Sequence, residues 1–325
     1  MFKALVLNQQ DNNTVASIEQ LDESTLPAGD VIVAVDYSSL NYKDGLAITG
    51  KGKIIRDFPM VPGIDYAGQV ISSGDDRYQP GDSVILTGWG VGENHWGGMA
   101  EKASVPANYL VSMPAGLDSR KAMIIGTAGL TAMLCVMALQ DAGITPEKGE
   151  ILVTGASGGV GSVAITLLDQ LGYQVVAASG RPENSDWLKS IGADRVIDRA
   201  ELLEPARPLE KQLWAGAIDT VGSKVLAKVL AQVDYQGAVA ACGLAGGFDL
   251  PTTVMPFILR GVKLLGVDSV MCPIEKRTQA WNRIVELLPE SFYSDAAKEV
   301  SLDAVPELAE AITNGQVTGR TLIKL

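Results

Sequence analysis

Between Ile151 and Gly161 the chain reads ILVTGASGGVG, and no other stretch limits the possible fold so strongly. A short apolar strand runs into a glycine-rich turn and then into a helical pattern, Ser162 to Leu171. The spacing Ala156-x-Gly158-x-x-Gly161 is a variant of the dinucleotide fingerprint. There, small residues permit a tight turn, a close backbone approach to a pyrophosphate, and packing of helix on strand. The amides at the helix start then face the phosphates, where the helix dipole favours negative charge. Ala156, Ser157, Gly158, Gly159, Val160 and Gly161 are the candidate phosphate-binding residues.

Strand and helix patterns alternate around this turn. Strands are expected at Gln174–Ala178, Arg195–Ile197, Ala217–Thr220, Ala238–Ala241 and Val262–Val267, and helices at Ser185–Ile191 and Lys224–Gln232. Such alternation implies right-handed crossovers and a doubly wound parallel sheet of Rossmann type, an α/β fold. An NAD site commonly places an acidic residue at the tip of the second strand. Here that tip reads Ser179-Gly180-Arg181. A guanidinium can grip a 2′-phosphate with two charge-assisted hydrogen bonds, and Ser179 can add another, so NADPH is the expected cofactor.

The first 120 residues have a different texture. Short β-rich runs at Lys3–Leu7, Val31–Val35, Ala67–Ile71 and Ser83–Thr87 are separated by PAGD, VPGID and QPGD, which carry turn chemistry. An irregular, mostly antiparallel, barrel-like domain is expected. Lys121–Leu139 is long and apolar enough for a buried helix. Near the end come two amphipathic helices, Lys276–Leu288 and Val305–Thr313, and a strand-like Arg320–Leu325 expected to return to the first domain. The expected division is 1–122 with 271–325 as the catalytic domain and 123–270 as the NADPH-binding domain.

A formal charge of −12 over 325 residues disfavours polyphosphate and anionic-membrane partners. The three cysteines, Cys135, Cys242 and Cys272, suggest no disulfide framework or zinc knuckle. No signal peptide or apolar run near 18 residues is read from the sequence, so a cytoplasmic, soluble protein is expected.

Eight segments carry a resemblance: SSLNYKD, ITGKGKIIR, FPMVPGIDYAG, LTGWGVGENHWGG, IGTAGLTAMLCV, TGASGGVGS, ACGLAGG and the closing GRTLIKL. Together they resemble the medium-chain dehydrogenase/reductase superfamily, in its quinone-oxidoreductase-like branch. The similarity is nearest to the NADPH-dependent acrylyl-CoA reductases. The resemblance implies a GroES-like catalytic domain beside the Rossmann domain. Zinc enzymes of that superfamily carry a ligand Cys three residues before Asp, and a Gly-His-Glu. Here those places hold Asn41-Tyr42-Lys43-Asp44 and Gly63-Ile64-Asp65, so two ligands are missing. Two separated carboxylates do not make a tetrahedral zinc site, and the single His95 cannot rebuild one.

What the resemblance implies is reduction of the carbon–carbon double bond of an α,β-unsaturated acyl-CoA, acrylyl-CoA to propionyl-CoA. Reduction of a quinone or alkenal is the alternative, and a non-catalytic NADPH-binding sensor or structural protein is the alternative of another class. Hydride delivered to the β carbon places negative charge on the carbonyl oxygen, which needs a hydrogen-bond donor. Asn41 and Tyr42 are the candidates. The Asn41 amide can polarise that carbonyl, or it is a turn residue bonding its own backbone. Tyr42 can border the nicotinamide and pass a proton, or it is a packed ring. Asp44 is read as structural. The loop from Gly88 to Gly98 either walls the substrate site with its tryptophans or is a tight turn held by aromatic packing. Gly243, Leu244, Ser269 and Arg320 carry over as cofactor contacts. Lys51, Lys53, Arg56 and Arg260 are cations open to CoA phosphates or to solvent alone. Val262–Val267 resembles the edge strand that commonly joins two subunits, which implies a homodimer.

Overall fold

The computed structural model describes residues 1–295 and 297–325. The chain divides into two compact units, one of Met1–Thr127, Val270–Val285 and Glu290–Leu325, the other of Ala128–Ser269 with Glu286–Pro289. The first break falls at Thr127/Ala128, five residues after the expected 122/123 boundary.

In the second unit six parallel strands lie in the order Arg195–Asp198, Val175–Ser179, Ile151–Val153, Trp214–Asp219, Val233–Ala241 and Lys263–Gly266. The first strand in sequence is thus central and the chain winds outward both ways, the arrangement of a doubly wound dinucleotide fold. Its central strands are buried along their whole length, as strands covered on both faces must be.

In the first unit Phe2–Gln10 and Asn13–Leu21 form a hairpin. Its second strand was missed because its burial is only partial and polar residues interrupt it. The larger sheet runs Ala297–Ser301, Arg320–Lys324, Val31–Ser39, Asp65–Ser73, Ser83–Thr87 and Leu110–Ser112, with Lys102–Val105 also on Val31–Ser39. Only its Ala297–Ser301/Arg320–Lys324 pair is parallel. The tail strand therefore does return, pairing Leu322 with Ser39.

The helix Ser119–Asp141 corrects one expectation. It is long and apolar enough to cross a membrane, although no such run was read from the sequence. Its most apolar window is 94% buried within the fold, so burial in protein already accounts for that composition. It is also two helices, broken where Gly126 takes φ 52°, ψ −158°.

Arg277, on the helix Ile274–Leu287, is fully buried. It donates to Thr87 O and Oγ1 (both 2.7 Å) and to Val270 O and Cys272 O (both 3.2 Å). Its guanidinium lies 4.9 Å from the centroid of the Trp89 ring. This cation ties the incoming segment 270–272 to the strand Ser83–Thr87. Trp89 is in turn stacked on Tyr109 at 5.3 Å, and Trp96 Nε1 donates to Pro59 O. These contacts are those of a tight turn held by aromatic packing, one of the two readings of the glycine loop. Gly97 sits so close to Gly63 O (2.4 Å from an ideal Cβ) that no side chain fits. His95 Nε2 lies 2.7 Å from Ser104 O.

Candidate functional site

In the second unit the turn after Ile151–Val153 depends on three glycines. Gly155 has φ 59°, and an added Cβ there would lie 2.2 Å from Thr220 Oγ1. Gly158 is the N-cap of the helix Gly159–Gln170. Gly161 would place a Cβ 2.5 Å from Gly155 O, so its bare backbone is what lets helix meet turn. The turn is held from below. Thr154 Oγ1 donates to Asp219 Oδ1 (2.7 Å), and Asp219 Oδ2 accepts from Gly222 N (2.7 Å). The first amides of such a helix have no acceptor within the helix itself.

The strand Val175–Ser179 delivers Ser179, Gly180 and Arg181 to the same end of the sheet. Arg181 Nη2 donates to Ser157 Oγ at 2.9 Å, and Arg181 N to Ser179 Oγ at 3.2 Å. Three of the expected residues are thereby joined. A second guanidinium was not foreseen: Arg199 packs flat on Gly180, where an added Cβ would stand 2.9 Å from its Cζ. The signal available was an arginine just after the third strand, whose tip lies beside that of the second. One guanidinium on the glycine turn and another packed on Gly180 at the tip of the next strand fit a dinucleotide with an extra phosphate. Cys242 N donates to Asp219 O (2.9 Å), which brings Gly243 and Leu244 to this end of the sheet, Leu244 61% exposed. Ser269 Oγ accepts from Thr131 Oγ1 at 2.8 Å.

In the first unit the strand Val31–Ser39 leads through Leu40 to Asn41, the N-cap of the helix Tyr42–Thr49. Asp44 fastens that start. One carboxylate oxygen accepts from Asn41 N (2.9 Å), the other from Gly63 N and Ile64 N (3.1 and 3.0 Å). Asp44 thus caps the helix start, a structural role as expected. Lys43, its neighbour, pairs instead with Glu93 at 2.6 Å.

Around Asn41 lies a buried polar network that the sequence did not reveal. Asp65 accepts from Ser39 Oγ (2.6 Å), Asn41 Nδ2 (3.0 Å) and Thr127 N (2.7 Å). Arg320 donates to Ser39 Oγ (2.7 Å), Asn41 Oδ1 (3.3 Å) and Ile124 O (2.9 Å). Ser39 thus bridges a carboxylate and a guanidinium. Burial pushes the Arg320 pKa down, while Asp65 and Asp44 pull it up.

Asn41, 8% exposed, has both ends of its amide hydrogen-bonded within this network, at the start of the helix. Arg320, 3% exposed, donates to Ile124 O and Ser39 Oγ of the same unit. Tyr42, by contrast, is 39% exposed. Arg260, a possible CoA cation, is buried and donates to the carbonyls of Ala231, Val233 and Glu210.

Burial, and then the charge of Asp65, push the Asp44 pKa from 3.8 up to about 7. The folded chain therefore keeps a proton between those values that the unfolded chain has lost. Unfolding free energy should fall as pH rises from about 4 to about 7, by up to about 1.4 kcal/mol per pH unit, then level off. Urea unfolding of the chain and of Asp44→Asn at pH 5, 6, 7 and 8 checks this. The variant should lose that slope, and equal slopes would remove Asp44 as its source.

The model of the alcohol dehydrogenase GroES-like domain matches residues 27–115, and that of the zinc-binding dehydrogenases matches 159–288. Over its whole length, 324 aligned residues, the chain is 69% identical to the probable acrylyl-CoA reductase AcuI of Escherichia coli, all of which is covered. The chain belongs to the medium-chain dehydrogenase/reductase superfamily. The acrylyl-CoA reductase AcuI of Ruegeria pomeroyi is 53% identical to it, with 99% of both chains aligned. The crystal structure of the yhdH oxidoreductase from Salmonella enterica in complex with NADP superposes with a TM-score of 0.98 at 67% identity, covering 99% of each chain.

Zinc, which the second family model's description implies, does not fit these residues. Where zinc members carry a thiolate and an imidazole, this chain has a hydrogen-bonded amide and an alkyl side chain. Among the described residues no group of three or more His, Cys, Asp or Glu is placed to hold a metal.

Proposed function

We propose that this superfamily member is an NADPH-dependent reductase of the carbon–carbon double bond of an α,β-unsaturated acyl-CoA, with acrylyl-CoA giving propionyl-CoA. The observation that carries the reading is the end-to-end 69% identity to a probable acrylyl-CoA reductase, in a chain whose Arg181 reaches the glycine turn and whose Arg199 packs on Gly180.

NADPH, when bound, supplies the hydride. The amides of Gly159, Val160 and Gly161 hold its pyrophosphate at the helix start, and Arg181, Arg199 and Ser179 hold its 2′-phosphate. Gly243, Leu244 and Ser269 are proposed as its further contacts. Tyr42 is the catalytic residue of the reading: its hydroxyl donates to the carbonyl oxygen as charge develops there and serves the proton transfer to the α carbon. Asn41, Asp65, Ser39 and Arg320 position it by fixing the first turn of its helix. That division of labour supports the reading, because a rigid shell behind an exposed hydroxyl is what a preorganised donor requires.

Tyr42→Phe should lower kcat about a hundredfold with little change in NADPH affinity. A rate within threefold of the parent would retire Tyr42. The wider reading is tested by ranking kcat/KM for acrylyl-CoA, crotonyl-CoA, a simple quinone and an alkenal with NADPH, since that ratio measures discrimination. A quinone preferred by orders of magnitude would overturn it. A chain that binds NADPH tightly but oxidises it with none of the four would be a binding protein.

The same proposal includes a homodimer through the sheet-edge strand Lys263–Gly266, supported by exposed apolar side chains at Phe248, Val254, Ile258 and Leu264. It also includes a cytoplasmic setting, which three free thiols fit.

A further inference from the structure

We propose that Lys53 and Arg56 receive the phosphate groups of the CoA nucleotide, an inference that rests on the acyl-CoA reading above. CoA carries several negative charges, and a protein of net charge −12 must offset them locally. Residues 1–127 contain nine lysines and arginines, and the structure accounts for seven of them. Lys3 pairs with Asp303, Lys43 with Glu93, Lys51 with Glu310, Arg77 with Asp75, Lys102 with Glu23, Arg120 with Glu299 and Lys121 with Glu290. Lys53 and Arg56 have no ion-pair partner among the described residues, and both are exposed. Of Lys51, Lys53, Arg56 and Arg260, Lys51 is held by Glu310 at 2.6 Å and Arg260 is buried on backbone carbonyls. Two remain.

Their placement gives the pair a function. The loop carrying them follows the helix Tyr42–Thr49, which Gly50 ends in the left-handed conformation (φ 68°). At 1.5 Å per residue that helix is about 12 Å long. The catalytic hydroxyl stands at its start and the free cations follow its end, as a ligand with its reactive thioester and its phosphates at opposite ends of a long arm requires. The loop is also anchored. Ile54, Ile55 and Phe58 pack against the core around Leu40, Ala47 and Ile48, so the two charged residues are held outward. Asp57, exposed between Arg56 and Phe58, is the local carboxylate that the phosphates must outcompete.

Titration of the full chain with CoA, 3′-dephospho-CoA, inorganic phosphate and NADPH tests the assignment. In the Lys53→Ala/Arg56→Ala double variant the Kd for CoA should rise roughly tenfold, and its dependence on salt should weaken. The kcat/KM advantage of acrylyl-CoA over acrylyl-N-acetylcysteamine, which lacks the nucleotide, should shrink by a similar factor. Lys53→Arg/Arg56→Lys, which keeps both charges, should retain CoA binding. A CoA Kd that moves less than twofold, or an NADPH Kd that rises in step with it, would overturn the site. A chain that binds CoA through this pair but reduces neither thioester would retire the reductase reading and leave the site standing. Reduction of acrylyl-CoA by a variant that binds CoA undiminished would do the reverse.

Discussion

Arg181→Ala should raise the Kd for NADPH about a hundredfold and leave that for NADH within about twofold. Hydrogen bonds to a charged group contribute roughly 1.5–3 kcal/mol. At 1.4 kcal/mol per factor of ten, two of them to one phosphate reach or exceed that ratio. The guanidinium already touches Ser157 on the phosphate turn, so its loss removes both a charge and the side chain that joins the second strand's tip to that turn. Arg199→Ala should give a smaller effect of the same sign, because Arg199 packs on the Gly180 backbone while Arg181, the guanidinium that reaches the phosphate turn, remains in place. Fluorescence titration with both nucleotides reads the outcome. Equal losses for NADPH and NADH would mean that Arg181 supports the fold of the site and does not recognise the 2′-phosphate.

Gly126→Ala should cost about 2–6 kcal/mol of folding stability. Its φ of 52° with ψ −158° lies where only glycine is at ease, a conformation that costs other residues about 1–3 kcal/mol. The added methyl would then stand 2.5 Å from Arg320 Nη2, 2.8 Å from Asp65 Oδ2 and 3.0 Å from Ser39 Oγ. Overpacking of this kind costs about 1–3 kcal/mol more. Gly143→Ala is the control: it too has positive φ (85°) but nothing within 4 Å, so only the backbone cost applies. Urea unfolding of the two variants separates the effects. A Gly126→Ala loss no larger than that of Gly143→Ala would show that the buried network yields without resistance. Because domains are stable by about 5–15 kcal/mol, the expected loss is a large share of the whole.

The phosphate turn was legible because its chemistry is local. Three glycines, a strand before them and a helix after them all fall within some twenty residues, and each glycine answers a backbone requirement that no other residue meets. The NADPH preference was legible for the same reason, since Ser179 and Arg181 directly continue a strand. Arg199 escaped notice because it reaches Gly180 from the neighbouring strand, a register visible only once the strands are paired. The polar network around Asn41 was less accessible still. Ser39, Asp65, Thr127 and Arg320 span most of the chain and meet only because the final strand pairs with Val31–Ser39.

The sequence by itself determined the doubly wound sheet, the glycine turn and the choice of dinucleotide, because these follow from residue type, short spacing and hydrophobic period; the departure from the zinc ligand pattern was read through the family resemblance. Tertiary structure alone decided the work of each polar side chain. It enclosed Asn41 and Arg320 in one network, seated Arg260 on carbonyls, paired Lys51 with Glu310, and left Tyr42, Lys53 and Arg56 exposed. A residue's chemistry is written in its side chain. Its availability depends on which distant groups satisfy that side chain first, and hydrogen-bond and charge partners are assigned only when the chain closes on itself.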